Sequence, residues 1–498
     1  MAAVSGFRVP GSGFRVLAHA RNAERGTRNV LTALAIVALG LLVALPEQSQ
    51  DALLVVVGAG ATVAAFIQPL VALPLLLFAV PFGGLTRGSS GDTSSDLSFG
   101  AAELMVALLT AAWLARGVRR HAINLRPGAI VVAALAMVCL AAFSIAYAQD
   151  RALAIKESLK WLELLLALAI VVDLSREPGA ARWVIGAMFV AAAAEATYGA
   201  VQFLTGSGPG AFELQGALRA FGHFDQPNPF AGYLTTILPL AVCMALCRAN
   251  PGPFRWLALC ATALMAIGIG LSQSRGAWLG AAVAGVSLLL AWSPFTRRLL
   301  IPVVLGGALT LALALTGLLP AAILDRLAQT VEYFGVFDVR TVQLTSENWA
   351  VVERMAHWQA GWYMFLDHPW LGVGAGNYAA AYPDYFVATW REALGHAHNY
   401  YLNIVAELGV VGGAVLVWLL GLSFVQLGGA LVRSEAARND FWRALLAGVF
   451  GGLVVFCVHN LFDSLFVHSV NVQLGVLLGL GLVAADRVGT RMLSAVAE

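Results

Sequence analysis

Apolar runs of about 16 to 22 residues recur from one end of the chain to the other, separated by short polar stretches. A helix needs ~20 residues to cross a bilayer. The pattern predicts about fourteen spans, near 29–45, 52–67, 70–82, 99–116, 129–147, 155–172, 183–204, 227–247, 256–271, 276–292, 299–317, 400–425, 443–462 and 468–486. The third is short and could pair with the second as a broken or re-entrant element around Gln68-Pro69. One long stretch, roughly 318–399, has soluble-like composition. Within it, 321–334 places Ile323, Leu327, Val331 and Phe334 on one helical face. Residues 349–366 repeat the pattern with Val352, Met355, Trp358, Trp362 and Phe365. Such helices lie on a membrane surface or cap a bundle. The fold class expected is all-α: a polytopic integral membrane bundle of about 12–14 transmembrane helices, with one large extracytoplasmic loop carrying amphipathic helices.

Composition agrees, with 59% hydrophobic and 12% charged residues among 498, against roughly 25% charged in soluble domains. About twenty of the thirty Lys and Arg fall in loops on one side of the predicted spans. The positive-inside rule then puts both termini in the cytoplasm and the large loop outside the inner membrane. The expected organisation is a basic cytoplasmic tail (1–28), an amino-terminal bundle (29–255) and three spans around Arg275 (256–317). The outer loop (318–399) and carboxy-terminal spans with a short tail (400–498) follow. The Arg-rich first 28 residues carry no apolar region or cleavage site of their own, so they read as a tail and not a signal peptide. Scattered basic residues give no nucleic-acid face. Five cysteines sit inside apolar runs and read as small hydrophobes. Cys243 and Cys247 are one turn apart, but no nearby His or Cys completes a metal site.

Some polar residues break the apolar pattern on the outer side. Arg275, in SQSRGAWLG (272–280), falls between the ninth and tenth spans. An arginine there can simply snorkel. It runs against the charge bias, however, and Gly276 and Gly280 permit close helix contact that would hold it between helices. Arg219, in GALRAFGHFDQPNPFAGYL (216–234), precedes the eighth span, whose entry is fixed by the Pro227-Asn228-Pro229 turn. That turn can equally be a rigid re-entry with an incidental arginine. HAHNYYLNIVAELGVVGG (396–413) places His396, His398 and Asn399 at the outer end of the twelfth span, with Gly409 and Gly412 inside it to admit another helix. Histidine suits proton transfer near neutral pH. GVGAGN (372–377) has the wrong glycine spacing for a nucleotide loop and no strand before it, so it reads as a tight turn.

Together these segments resemble a family. His398-Asn399, nine residues, then Gly409-x-x-Gly412 reproduces the H-[N/S/Q]-x9-G-x-x-G pattern of the O-antigen ligase and Wzy-type polymerase superfamily. SQSRGAWLG resembles its SRG motif, and ERMAHWQAGWYMFLDHPWLGVGAGNY (353–378) its R…W…A…HP segment. The likeness is strong over about 256–413 and extends to the region around Arg219. Three spans follow the loop, as in the ligases, while eleven precede it where nine are usual.

The resemblance implies a membrane glycosyltransferase that moves a glycan from undecaprenyl diphosphate to an acceptor hydroxyl. The acceptor is a glycan or lipid A core, and no cofactor or metal is implied. His398, Arg275 and Arg219 would be catalytic, with Arg354, His396, Asn399 and Asp463 in substrate binding. A polymerase extending lipid-linked repeats is the alternative reading. A lipid-linked sugar flippase is a second alternative, but it would show paired gapped spans in two similar halves, and the sequence has no such symmetry.

Overall fold

The computed structural model describes residues 58–60, 62–82, 100–120, 128–214, 216–292, 294–316, 337–345, 348–434 and 440–497. The expected tail, the first span, the first part of the second and the helix expected at 321–334 lie outside the described residues.

The bundle is helical. Its main elements are α1 (Pro69–Phe82), α2 (Ala101–Arg120), α3 (Ala129–Ser144), α4 (Arg151–Leu174), α5 (Pro178–Thr205), α6 (Pro227–Leu246), α7 (Gly252–Ser272) and α8 (Arg275–Trp292). After these come α9 (Pro294–Arg298), α10 (Leu300–Leu315), α11 (Trp349–Asp367), α12 (Tyr378–Tyr385), α13 (Tyr400–Arg433), α14 (Phe441–His459) and α15 (Val470–Ala497). A two-residue hairpin, β1 (Glu213–Leu214) with β2 (Ala217–Leu218), supplies the strand pairing among the described residues. Among the described residues, eight helices are long and apolar enough to cross a membrane. The protein is an all-α polytopic membrane protein. The 155–172 span coincides with α4, a full-length helix kept out of that eight by Lys156, Glu157, Lys160 and Glu163.

Prolines at the first positions set where α5, α6 and α7 start, since proline needs no amide partner there. Asp150 and Asp440 cap α4 and α14 by accepting from amides two or three residues on. The core is α6 and α14 packed face to face, with α15 on α14 and α4, and α8 on α14. Small residues allow this. A Cβ on Gly448, Gly451 or Gly452 of α14 would run into Leu240, Pro239 or Thr236 of α6. Close backbone approach of this kind replaces the missing hydrophobic drive between helices in lipid.

α13 is broken in the middle. Gly409 takes φ 64° and ψ −165°, so the helix unwinds for one residue. Into that gap runs the 368–377 turn: Val410 N–H donates to Pro369 O at 2.8 Å, Val373 N–H to Ala406 O at 3.0 Å and Gly374 N–H to Glu407 O at 2.8 Å. Backbone groups freed by the break are thereby satisfied, as lipid demands. The G-x-x-G pair thus admits a loop instead of another helix at Gly409, where a Cβ would collide with Trp370. GVGAGN is the tight turn expected, with Gly372, Gly374 and Gly376 all at positive φ.

The amphipathic stripe on 349–366 also needs correcting. α11 buries Val352 and Met355, then continues through Ala356, Ala360 and Met364. Trp362 lies on the exposed side, against Phe365, with ring centroids 5.3 Å apart. The face packed on α13 includes Ala360, Gly361 and Met364, while Trp358 is partly buried and its indole N–H donates to His398 O at 3.3 Å.

Candidate active site

The hairpin loop before α6, the α7–α8 turn, the segment 386–399 and the turn after α14 meet at one end of the bundle. Six non-glycine residues among those described have left-handed backbones: Asp225, Gln273, Ala388, His398, His468 and Ser469. All belong to these connections. Such conformations persist only where surroundings impose them, and they gather at functional sites.

His398, at φ 52°, stands immediately before the cap of α13. Asn399 is that cap, its Oδ1 accepting from Leu402 N–H at 3.0 Å. The sequence reading placed Asn399 with substrate, but its oxygen serves the helix and thereby fixes the residue before it. Two further bonds lock the corner: Tyr400 N–H donates to Asn460 O at 2.9 Å, and Tyr401 Oη to Cys457 O at 2.8 Å. They bring the start of α13 against the end of α14, where Asp463 lies.

Asp463 is 6% exposed, with His398 Nδ1 at 3.5 Å and His396 Nε2 at 3.8 Å from its Oδ1. The side-chain exposure of His398 is 14%, yet neither ring nitrogen makes a hydrogen bond among the described residues. Asp463 Oδ2 accepts from Asn228 Nδ2 at 2.6 Å. Asn228 Oδ1 in turn accepts from Arg219 Nη2 at 3.0 Å, and Arg219 Nε donates to Ser272 O at 2.8 Å. A continuous polar chain thus runs from the SRG segment through Arg219, Asn228 and Asp463 to His398.

The electrostatics are those of an anion site. Burial, then the charges of Arg354 and Arg275, lower Arg219 to about 10, while Asp463 opposes them. The Asp463 carboxyl is desolvated, but His398, His396 and Arg354 hold it well below the usual carboxylate range. His396 falls to about 3 through burial and the neighbouring His398, and His357 to about 3 for the same two reasons. Arg219 and Arg354 therefore act on one carboxylate that stays ionised, and the charge of Arg275 reaches Arg219.

The structure brings His398, His396, Asp463 and Arg219 together, with Arg354 and Arg275 close enough for their charges to act there. Arg275 departs from expectation in one respect: it is exposed at the start of α8. Gly276 and Gly280 do let α8 approach α14, facing His459 and Val455, but they leave the Arg275 side chain outside that contact. Asn228, His357 and His459 were not singled out from sequence. The Pro-Asn-Pro turn was the available signal for Asn228, while His357, whose ring centroid is 5.6 Å from that of His398, gave none.

His396, His398 and Asp463 place possible ligand atoms within 4.8 Å of one another, a donor set that a divalent cation could use. The surrounding arginine charge works against a cation and for an anion.

Residues 260–417, from α7 through the middle of α13, match the family model described as O-antigen ligase. A search among curated proteins finds no match. The match spans the SRG turn, Arg354, both histidines and the Gly409 break, so this part of the chain is similar to the O-antigen ligase family, which supports a ligase- or polymerase-type membrane enzyme of polysaccharide biosynthesis.

Proposed function

We propose that the protein transfers a glycan from undecaprenyl diphosphate to an acceptor hydroxyl, by direct displacement with inversion and without a metal. The carrying observation is the pair His398–Asp463: a largely buried imidazole without a hydrogen bond, beside an ionised carboxylate, inside a group of arginines. His398 Nε2 takes the acceptor proton while the acceptor oxygen bonds to the anomeric carbon. The bond from that carbon to the diphosphate oxygen breaks on the opposite face, and the electron pair leaves with the diphosphate. Asp463 stabilises the imidazolium that forms and holds its orientation, as a carboxylate does for a catalytic histidine elsewhere. Arg219 and Arg275 bind the departing diphosphate, since a guanidinium fork matches phosphate oxygens. Arg354 adds charge, and His396, kept neutral, lines the acceptor side.

The site faces away from the cytoplasm in this reading, because the opposite end carries Arg116, Arg119, Arg176, Arg182, Arg248, Arg297, Arg298, Arg433 and Arg487. Ligase is favoured over polymerase by the family description and by the three helices that follow the loop. Deletion in the native host, followed by gel analysis of surface polysaccharide, separates the two. Loss of all attached glycan supports the ligase. A single attached repeat unit supports the polymerase, and unchanged polysaccharide removes both. Transfer in detergent should survive a chelator; loss of activity restored by a divalent cation would put the metal at His396, His398 and Asp463.

A further inference from the structure

At the end of the bundle away from His398, a cavity of about 300 Å³ opens between α1, α2 and α4. Its walls include Gln68, Pro69, Arg116, Arg119, Asp173 and Leu174. Arg116 and Arg119 are three residues apart on α2, so they share a face. Arg119 Nη2 donates to Phe66 O at 3.3 Å, which engages one of the five donors a guanidinium carries. The acid on the wall is Asp173, whose Oδ2 already accepts from Trp113 Nε1 at 2.9 Å. Pro69 and Leu70 bring in the first turn of α1, and the amino end of a fourteen-residue helix adds partial positive charge. Two guanidiniums and a helix amino end thus face one hydrogen-bonded carboxylate. Apolar surface lies alongside: Ile67 on the wall is 74% exposed, and Phe66, whose carbonyl accepts from Arg119, is 42% exposed.

We propose that this cavity binds the phosphate group of an anionic phospholipid, with the acyl chains lying over Phe66 and Ile67. The recognised chemistry is a phosphoryl oxyanion, which free phosphate shares. The flanking apolar surface favours the lipid, and a basic pocket between helices at the leaflet edge is where headgroups are held. The site is separate from the transfer chemistry and stands whether or not that reading does.

The test uses full-length protein in phosphatidylcholine nanodiscs, with the unfolding midpoint followed as phosphatidylglycerol is increased or inorganic phosphate is added. Wild type should be stabilised by phosphatidylglycerol and not by phosphate. In Arg116→Gln/Arg119→Gln, half-saturation should need about tenfold more phosphatidylglycerol, since two charged contacts are lost. Arg297→Gln/Arg298→Gln, at the same end but outside the cavity, should titrate like wild type. Asp173→Asn keeps an acceptor for Trp113 but loses the repelling charge, so it should need several-fold less lipid. That variant also decides the matter if the double arginine variant fails to fold. Stabilisation by phosphate that the cavity arginines control would keep the anion site and make its ligand the free ion. Equal titration by wild type and Asp173→Asn, or equal loss in both arginine pairs, overturns the proposal.

Discussion

Asn228 joins the two halves of the site, accepting from Arg219 and donating to Asp463. Asn228→Leu should therefore lower transfer without touching either partner, and Asn228→Asp should lower it at least as much, because it keeps the acceptor for Arg219 but sets a second carboxylate against Asp463. Arg219→Lys keeps a charge but cannot bond Ser272 O and Asn228 Oδ1 together, so it should lose most activity. Losses of ~2–5 kcal/mol for such desolvated contacts correspond to rate losses of tens to thousands-fold. Assays of lipid-linked glycan transfer on membranes with matched protein levels check both. Acid should also destabilise the fold. His396 and His357 have folded-state values of about 3, while an unfolded histidine titrates near 6.5. Between these values the unfolded chain binds protons that the folded protein excludes, so stability falls as pH drops below about 6.5. Asp463, held low, adds its own loss only at much lower pH. Unfolding midpoints in detergent should decline from pH 7 to pH 5; a rise over that window contradicts these buried neutral histidines. The arginines, His396, His398 and Asp463 could be singled out in sequence because each breaks an apolar pattern or sits in a family motif. Asn228 was not, because an asparagine between two prolines looks like turn chemistry, and its partner is 235 residues away.

Among the elements, α13 and the turn threaded into it carry the most consequence, because they set the distance from the 368–377 segment to the histidines. Gly409→Ala meets two penalties, a left-handed backbone and a Cβ overlapping Trp370. Gly421 lies in the same helix with open space where a Cβ would go. Gly409→Ala should lower the unfolding midpoint and Gly421→Ala should hold or raise it, because alanine favours helix by up to ~1 kcal/mol over glycine. Equal effects would mean the break is not a structural requirement. The described spans could be read from length and hydropathy alone, since lipid leaves the backbone little choice but helix. The break could not. G-x-x-G is the spacing of helix packing, and nothing in one sequence distinguishes a glycine that admits a helix from one that admits a loop. The α11 face was misread at one position: tryptophan at helical spacing signals an apolar stripe, and Trp358 does lie on the packed side, whereas Trp362 is exposed.

For the whole molecule, the account requires the His398 end to lie outside the cytoplasm. In a background lacking Cys139, Cys243, Cys247, Cys260 and Cys457, cysteines at the exposed positions Glu213 and Arg248 probe the two ends. A membrane-impermeant thiol reagent should label Glu213→Cys in spheroplasts and Arg248→Cys only after lysis; the reverse pattern would invert the topology. The central claim is that this end performs base-assisted glycan transfer, and its most direct measurement pairs binding with chemistry. Wild type and His398→Ala, purified and reconstituted with an undecaprenyl-diphosphate-linked glycan, are compared for donor affinity and for single-turnover transfer to acceptor. The arginines remain, so donor affinity should be nearly unchanged. Transfer should slow by ~10²–10⁴, the usual contribution of a general base. Transfer by His398→Ala at the wild-type rate would contradict the account.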